Sequence, residues 1–285
     1  MVEVIINKSN HNLYAEQMIK YLKIVIALVV LNIVSCKETS KKDEASSKQN
    51  SKVESQELSA EAIVQNAIVA HGGAKYDKAN YEFVFRDKIY MFNNTDGAAY
   101  RVNFKDSIGN RIEDNLNNGS FSRTINDELV DLSAKDVSIH SNALNSVIYF
   151  ATLPHKLNDK AVHKELIGET VIKGEDYDIV RVTFGKEGGG KDHDDIFMYW
   201  VHKQSYFIDY LAYSYSTNNG GVRFRSAYNQ RIIDGIRFQD YINWAAPVGT
   251  PLKDLPTMFE KNELKELSRI ETENVRNLNA TELIE

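Results

Sequence analysis

Cysteine is almost missing from this chain: among 285 residues there is one, Cys36. A lone cysteine rules out an internal disulfide and any cysteine-built zinc site, so its position calls for another reason. A basic excess is missing too. The formal net charge is −6 and the pI about 5.7, with the signs interspersed, which excludes the basic stripe of a nucleic-acid binder. No apolar run reaches the ~20 residues that a membrane-spanning helix requires. There is no Gly-x-Ser-x-Gly elbow to recruit a histidine base, and Gly188-Gly189-Gly190 lacks the Lys-Ser/Thr and following helix of a phosphate loop. The alternating βα pattern on which lysine-based aldolases sit is absent as well.

What is present begins near the N-terminus. Residues 24–34 are apolar except for Asn32, with Lys20 and Lys23 before them and Ser35-Cys36 after. A basic stretch, a short apolar stretch and a small residue before a cut make a secretory signal. The run Ile33-Val34-Ser35-Cys36 resembles the bacterial lipobox. That resemblance implies cleavage between Ser35 and Cys36, lipid on the Cys36 thiol and acylation of the new amino group. Each buried CH₂ contributes about 0.8 kcal/mol and two or more chains anchor stably, so the membrane is the expected partner through lipid alone. Met18 is the expected true start, leaving residues 1–35 as an upstream extension and signal peptide.

Residues 36–58 mix Ser, Lys, Gln and Glu, a composition too polar to fold, and are expected to tether the domain. Lys37-Glu38 resembles the surface-export signal of Bacteroidetes lipoproteins. The expected location is the cell envelope, as an outer membrane lipoprotein facing the periplasm or the surface.

The folded part is expected over residues 59–247. Ser59 caps a helix whose apolar residues Ile63, Val64, Ala67 and Ile68 repeat at helical spacing until Gly72-Gly73 ends it. Beyond it, Asp96-Gly97, Asn118-Gly119, Lys173-Gly174, Asn219-Gly220 and Asp234-Gly235 are hairpin turn signals, predicting an antiparallel meander. Strands are expected at 81–92, 99–105, 119–126, 162–172, 176–184, 196–202, 206–216, 222–233 and 235–244, with a helical insert at 134–151. The pair 222–233 and 235–244 alternates at period two, predicting one dry face and one wet face. The predicted class is therefore α+β: a strongly curved antiparallel sheet, an incomplete barrel, with an N-terminal helix and an internal helical insert. Residues 248–285 are expected as a polar, loosely attached extension with one helix at 258–267.

The polar clusters have ordinary readings. Lys191-Asp192-His193-Asp194-Asp195 reads as a solvated hairpin loop, because consecutive residues on an extended loop point in alternating directions. No metal site and no cofactor are expected. His71 is expected to act on the C-terminal dipole of the first helix. Arg223, Arg225, Arg231 and Arg237 are expected to pair at the surface with Asp234, Asp240 and nearby glutamates; an anionic-headgroup patch is the alternative.

Several segments, in order, carry a further resemblance: Ala70-His71-Gly72-Gly73, Phe83-Val84-Phe85-Arg86, Tyr199-Trp200-Val201-His202-Lys203, Tyr210-Leu211-Ala212-Tyr213, Gly221-Val222-Arg223-Phe224-Arg225 and Asp234-Gly235-Ile236-Arg237-Phe238. Over residues 59–247 the organisation is similar to the LolA/LolB-like lipoprotein-carrier superfamily, and in particular to a flavobacterial lipoprotein group with that fold. The resemblance implies a half-barrel whose apolar concavity takes an acyl chain or other hydrophobic ligand, without enzymatic activity. Strand aromatics that could line such a cavity are Phe83, Phe85, Tyr199, Trp200, Tyr213, Phe224, Phe238 and Trp244. An envelope scaffold with a filled core, and a hydrolase or aldolase, are the competing readings.

Overall fold

The computed structural model describes residues 58–185, 195–216 and 219–279. The signal segment, Cys36, the tether up to residue 57 and most of the 188–195 cluster lie outside the described residues. Helix α1 (Ala60–His71) starts at Ser59, whose Oγ accepts from the Ala62 amide at 3.2 Å. It stops at Gly72, which takes φ +140°, a conformation that a side chain would strain. A short 3₁₀ turn, Gly73–Lys78, follows.

Strands β1 (Asn80–Phe85), β2 (Lys88–Asn93), β3 (Ala99–Lys105), β4 (Arg111–Asn117), β5 (Ser120–Ile125) and β6 (Glu128–Leu129) then form an antiparallel meander. Helix α2 (Ala134–Ala151) is capped by Ser133, whose Oγ accepts from the Asp136 amide. Strands β7 (Val162–Ile172), β8 (Glu175–Phe184), β9 (Ile196–His202), β10 (Ile208–Tyr215), β11 (Gly221–Ile233) and β12 (Ile236–Ala246) form a second meander. Helix α3 (Leu255–Glu260) and strands β13 (Lys265–Ile270) and β14 (Glu273–Asn277) complete the described chain.

The last two strands separate. β13 pairs with β12 at the edge of the second sheet, and β14 pairs with β1 at the edge of the first, so the chain steps between two seven-stranded sheets through residues 271 and 272. The result is an α+β fold of open antiparallel sheets with few helices. Asp240 fastens that step. Its carboxylate accepts from Arg231 on β11, from Asn229 at the β11 bulge and from both the amide and hydroxyl of Thr272.

Three apolar clusters hold these layers. Ile63, Val64 and Ala67 of α1 pack on Val180, Tyr199 and Leu211 of the second sheet. Leu144 and Ile148 of α2 pack on Phe83, Phe92 and Val102 of the first. Tyr149 and Phe150 of α2 lean the other way, onto Phe197 and Tyr213, so this helix spans both sheets. Its outer end is pinned by Arg123, which pairs with buried Asp114 and reaches His140 Nε2 at 3.0 Å. The third cluster covers the opposite face of the second sheet, where Leu252, Leu255 and Leu264 bury Trp200 and Phe224. Each such fully buried large side chain contributes about 1.5–3 kcal/mol.

Four expectations are corrected here. Residues 81–92 are a hairpin, not one strand, because Arg86 and Asp87 both adopt positive φ (50° and 62°) and make a tight turn without glycine. The segment after Pro247 is integral: it supplies the cover of one sheet face and an edge strand to each sheet. The helix expected at 258–267 is α3 followed by the start of β13. Nor does the β11–β12 hairpin keep a wet face along its whole length: Asn229, Gln230 and Ile232 near the turn are exposed, but the part around Arg225 is covered on both sides. The side holding Arg225 and Asn243 turns toward the helices, while Phe224 lies under the C-terminal cover.

Candidate functional site

Among the described residues an apolar pocket of about 200 Å³ lies where α2 crosses the junction of the sheets. β1 contributes Phe83 and Phe85, spaced two residues apart and therefore on one face. α2 contributes Ser146, Val147, Phe150 and Ala151, a helical i, i+1, i+4, i+5 stripe. β11 and β12 contribute Arg225, Gln239, Tyr241 and Asn243, with Arg225 directly opposite Asn243 in the register. Ile270 ends β13 and Thr272 lies in the step between sheets, and Arg86 is exposed at the rim.

The polar groups of the pocket are fixed unevenly. Gln239 Nε2 donates to the Ile208 carbonyl at 2.8 Å and to the Tyr241 hydroxyl at 2.7 Å. Burial raises the Tyr241 pKa above its ordinary value, so this phenol stays protonated. Arg225 is 7% exposed, and one of its nitrogens, Nη2, donates to the Tyr213 hydroxyl at 3.0 Å. Its Cζ lies 3.8 Å above the Phe150 ring. Among the described residues its Nε and Nη1 have no partner, nor does the buried Asn243 Oδ1.

The expected lining aromatics divide. Phe83 and Phe85 line the pocket. Tyr213 stands behind it, holding Arg225 through its hydroxyl. Tyr199 faces the same interior but is sealed in the α1 cluster, its hydroxyl 2.9 Å from that of Tyr149; burial raises both phenol pKa values. Phe238 is buried against Tyr81. Trp200, Phe224 and Trp244 lie on the opposite face under the C-terminal cover, and Trp244 Nε1 donates to Ser226 Oγ. The reason is strand parity: neighbours such as Tyr199 and Trp200 point to opposite faces and cannot line one cavity.

Sequence reasoning missed Val147, Phe150, Gln239, Tyr241, Ile270 and the position of Arg225. Parity held the signal, since Arg225 alternates with Phe224 and aligns with Ala227, a residue of the inner cluster.

Of the other arginines, Arg231 pairs with Asp240 and Arg237 lies 3.8 Å from Asp209, whereas Arg223 bonds the Tyr215 hydroxyl. The expected pairing partner Asp240 is thus shared by one arginine only, and it is buried rather than at the surface. His71 is buried too. Its Nδ1 lies 2.8 Å from the Ala67 carbonyl, and burial lowers its pKa to about 4, so it is neutral and does not act as a cation on the helix dipole. Among the described residues no group of three His, Cys, Asp or Glu side chains could hold a metal ion, and no helix is long and apolar enough to cross a membrane.

No curated protein matches the chain in sequence. By fold it is similar to a LolA superfamily protein from Nitrosomonas europaea, at 12% identity and a TM-score of 0.45, over 77% of this chain and 94% of that one. It is similar to a DUF1329 family protein from Desulfovibrio piger at 14% identity and a TM-score of 0.41, over 78% and 94%. A third, the Mycobacterium tuberculosis lipoprotein LppX, shares 10% identity with a TM-score of 0.26, over 56% and 88%. In sequence, one family profile matches residues 50–272, most of the folded part: the chain belongs to a family of unknown function, DUF6503.

Proposed function

We propose that this protein is a non-enzymatic binding or carrier module, tethered to a membrane of the cell envelope by lipid on Cys36, whose concave side takes a hydrophobic ligand. The supporting observation is the pocket itself. Phe83, Phe85, Val147, Phe150, Ala151 and Ile270 give it an apolar wall with a few inward polar groups, the composition of a small-molecule site. At about 200 Å³ it is below the ~300–1,000 Å³ of drug-sized sites, so it suits a single short or medium alkyl chain. Because α2 roofs it and packs on both sheets, a small displacement of this helix would enlarge it.

The test uses residues 36–285 carrying Cys36→Ser, so that no acyl group of the protein itself competes. A solvatochromic naphthylamine dye is expected to bind with a blue-shifted emission and to be displaced by medium-chain amphiphiles. Val147→Trp, which fills the pocket, is expected to remove that response while the protein stays folded. Equal dye binding by wild type and Val147→Trp would sink the assignment of the pocket.

A further inference from the structure

We infer that the ligand is an amphiphile with an anionic head, and that Arg225 receives the head. This rests on the pocket being the hydrophobic-ligand site. Two arginines are the charged side chains lining the pocket, and no carboxylate lines it. Arg86 is exposed to water at the rim, but Arg225 is 7% exposed and makes no ion pair among the described residues. Its planar group carries five N–H donors. One of its nitrogens is engaged, by the Tyr213 hydroxyl, and both Nε and Nη1 are buried without a partner among the described residues.

Stacking on Phe150 at 3.8 Å offsets part of the cost of burying the charge. It supplies no acceptor for the N–H groups. Partly buried arginines elsewhere in the fold are treated differently: Arg123 has Asp114 and Arg231 has Asp240. Among these three, Arg225 is the one that lines an apolar pocket while two of its nitrogens lack a partner among the described residues, and the complement of such a group is a carboxylate or phosphate oxygen on an alkyl chain. The chain then lies against Phe83, Phe85, Val147 and Ile270, running from the buried Arg225 end toward the Arg86 rim. Asn243, opposite Arg225 in the register, would accept from a protonated or hydroxylated head through its unpartnered Oδ1.

Isothermal titration of residues 36–285 (Cys36→Ser) with octanoate, octyl phosphate and 1-octanol separates the possibilities, because the three share one chain. An anionic-head site predicts that octanoate or octyl phosphate binds at least about tenfold tighter than 1-octanol, and the tighter of the two names the head. Arg225→Met should bring that ligand down to the affinity of the alcohol and leave the alcohol nearly unchanged. Arg225→Lys should retain part of the preference. The folded state is checked by thermal unfolding: a receptor arginine predicts a midpoint for Arg225→Met that is unchanged or raised, since an uncompensated buried charge is removed. Equal binding of all three amphiphiles would overturn the anionic head while leaving the hydrophobic pocket standing. Failure of all three to bind would overturn the pocket as well, and a sharply lowered midpoint with intact preference would make Arg225 structural only.

Discussion

Asp240→Ala removes the group on which the junction of the two sheets converges. The side chain is 2% exposed and accepts from Arg231 Nη1 and Nη2 at 3.2 and 3.1 Å, from Asn229 Nδ2 at 2.6 Å and from the Thr272 amide at 2.9 Å. Alanine leaves Arg231 without its carboxylate and the Thr272 amide without an acceptor. Breaking a buried pair by removing one partner costs about 3–5 kcal/mol, and an orphaned buried donor about 1–3 kcal/mol more. The Arg231 side chain is 24% exposed, so water recovers part of the loss, and the sum falls to about 4 kcal/mol. Asp240→Asn keeps an acceptor oxygen and should cost roughly half as much. Urea unfolding followed by far-UV circular dichroism measures both. Because Ile270 and Thr272 also line the pocket, ligand affinity should fall along with stability. A loss below about 1 kcal/mol for Asp240→Ala would refute the reasoning that this carboxylate fastens the step between sheets.

His71 makes stability pH-dependent. Its pKa is 6.5 when unfolded and about 4 when folded, so its contribution is fully present above pH 6.5 and is lost as pH falls toward 4, by roughly 3 kcal/mol in all. In His71→Phe the loss of stability between pH 6.5 and 4, read from urea midpoints, should flatten accordingly. Leu255→Ala, at a fully buried position of the outer cover, should cost about 2–5 kcal/mol in the same assay, and truncation after Pro247 should abolish cooperative unfolding. Cys36→Ala should abolish incorporation of an alkyne-tagged fatty acid in cells while leaving the unfolding midpoint of the domain unchanged.

Much of the architecture was legible in local chemistry. Asn118-Gly119, Lys173-Gly174 and Asp234-Gly235 all take positive φ at both residues, and each joins antiparallel neighbours as the turn signal predicts. The 134–151 helix shows its cap and its spacing in the sequence. What stayed hidden depended on tertiary partners. Arg86-Asp87 makes its turn without glycine, so residues 81–92 looked continuous. β4 buries an aspartate, Asp114, in place of an apolar residue, and is masked until Arg123 is seen beside it. β13 and β14 are edge strands with largely exposed side chains and carry little apolar alternation. The pocket was obscured for a related reason. An arginine reads as a solvent-facing residue, whereas the second sheet is covered on both faces and leaves Arg225 nowhere wet to go.

A methyl NMR titration localises the ligand directly. With octanoate added to the isotopically labelled chain, a ligand in the pocket shifts the methyl resonances of Val147, Ala151 and Ile270, which line it, and leaves those of Leu252 and Leu255, on the opposite face of the second sheet, in place. Shifts confined to Leu252 and Leu255, or no saturable shift anywhere, would contradict a ligand site under α2.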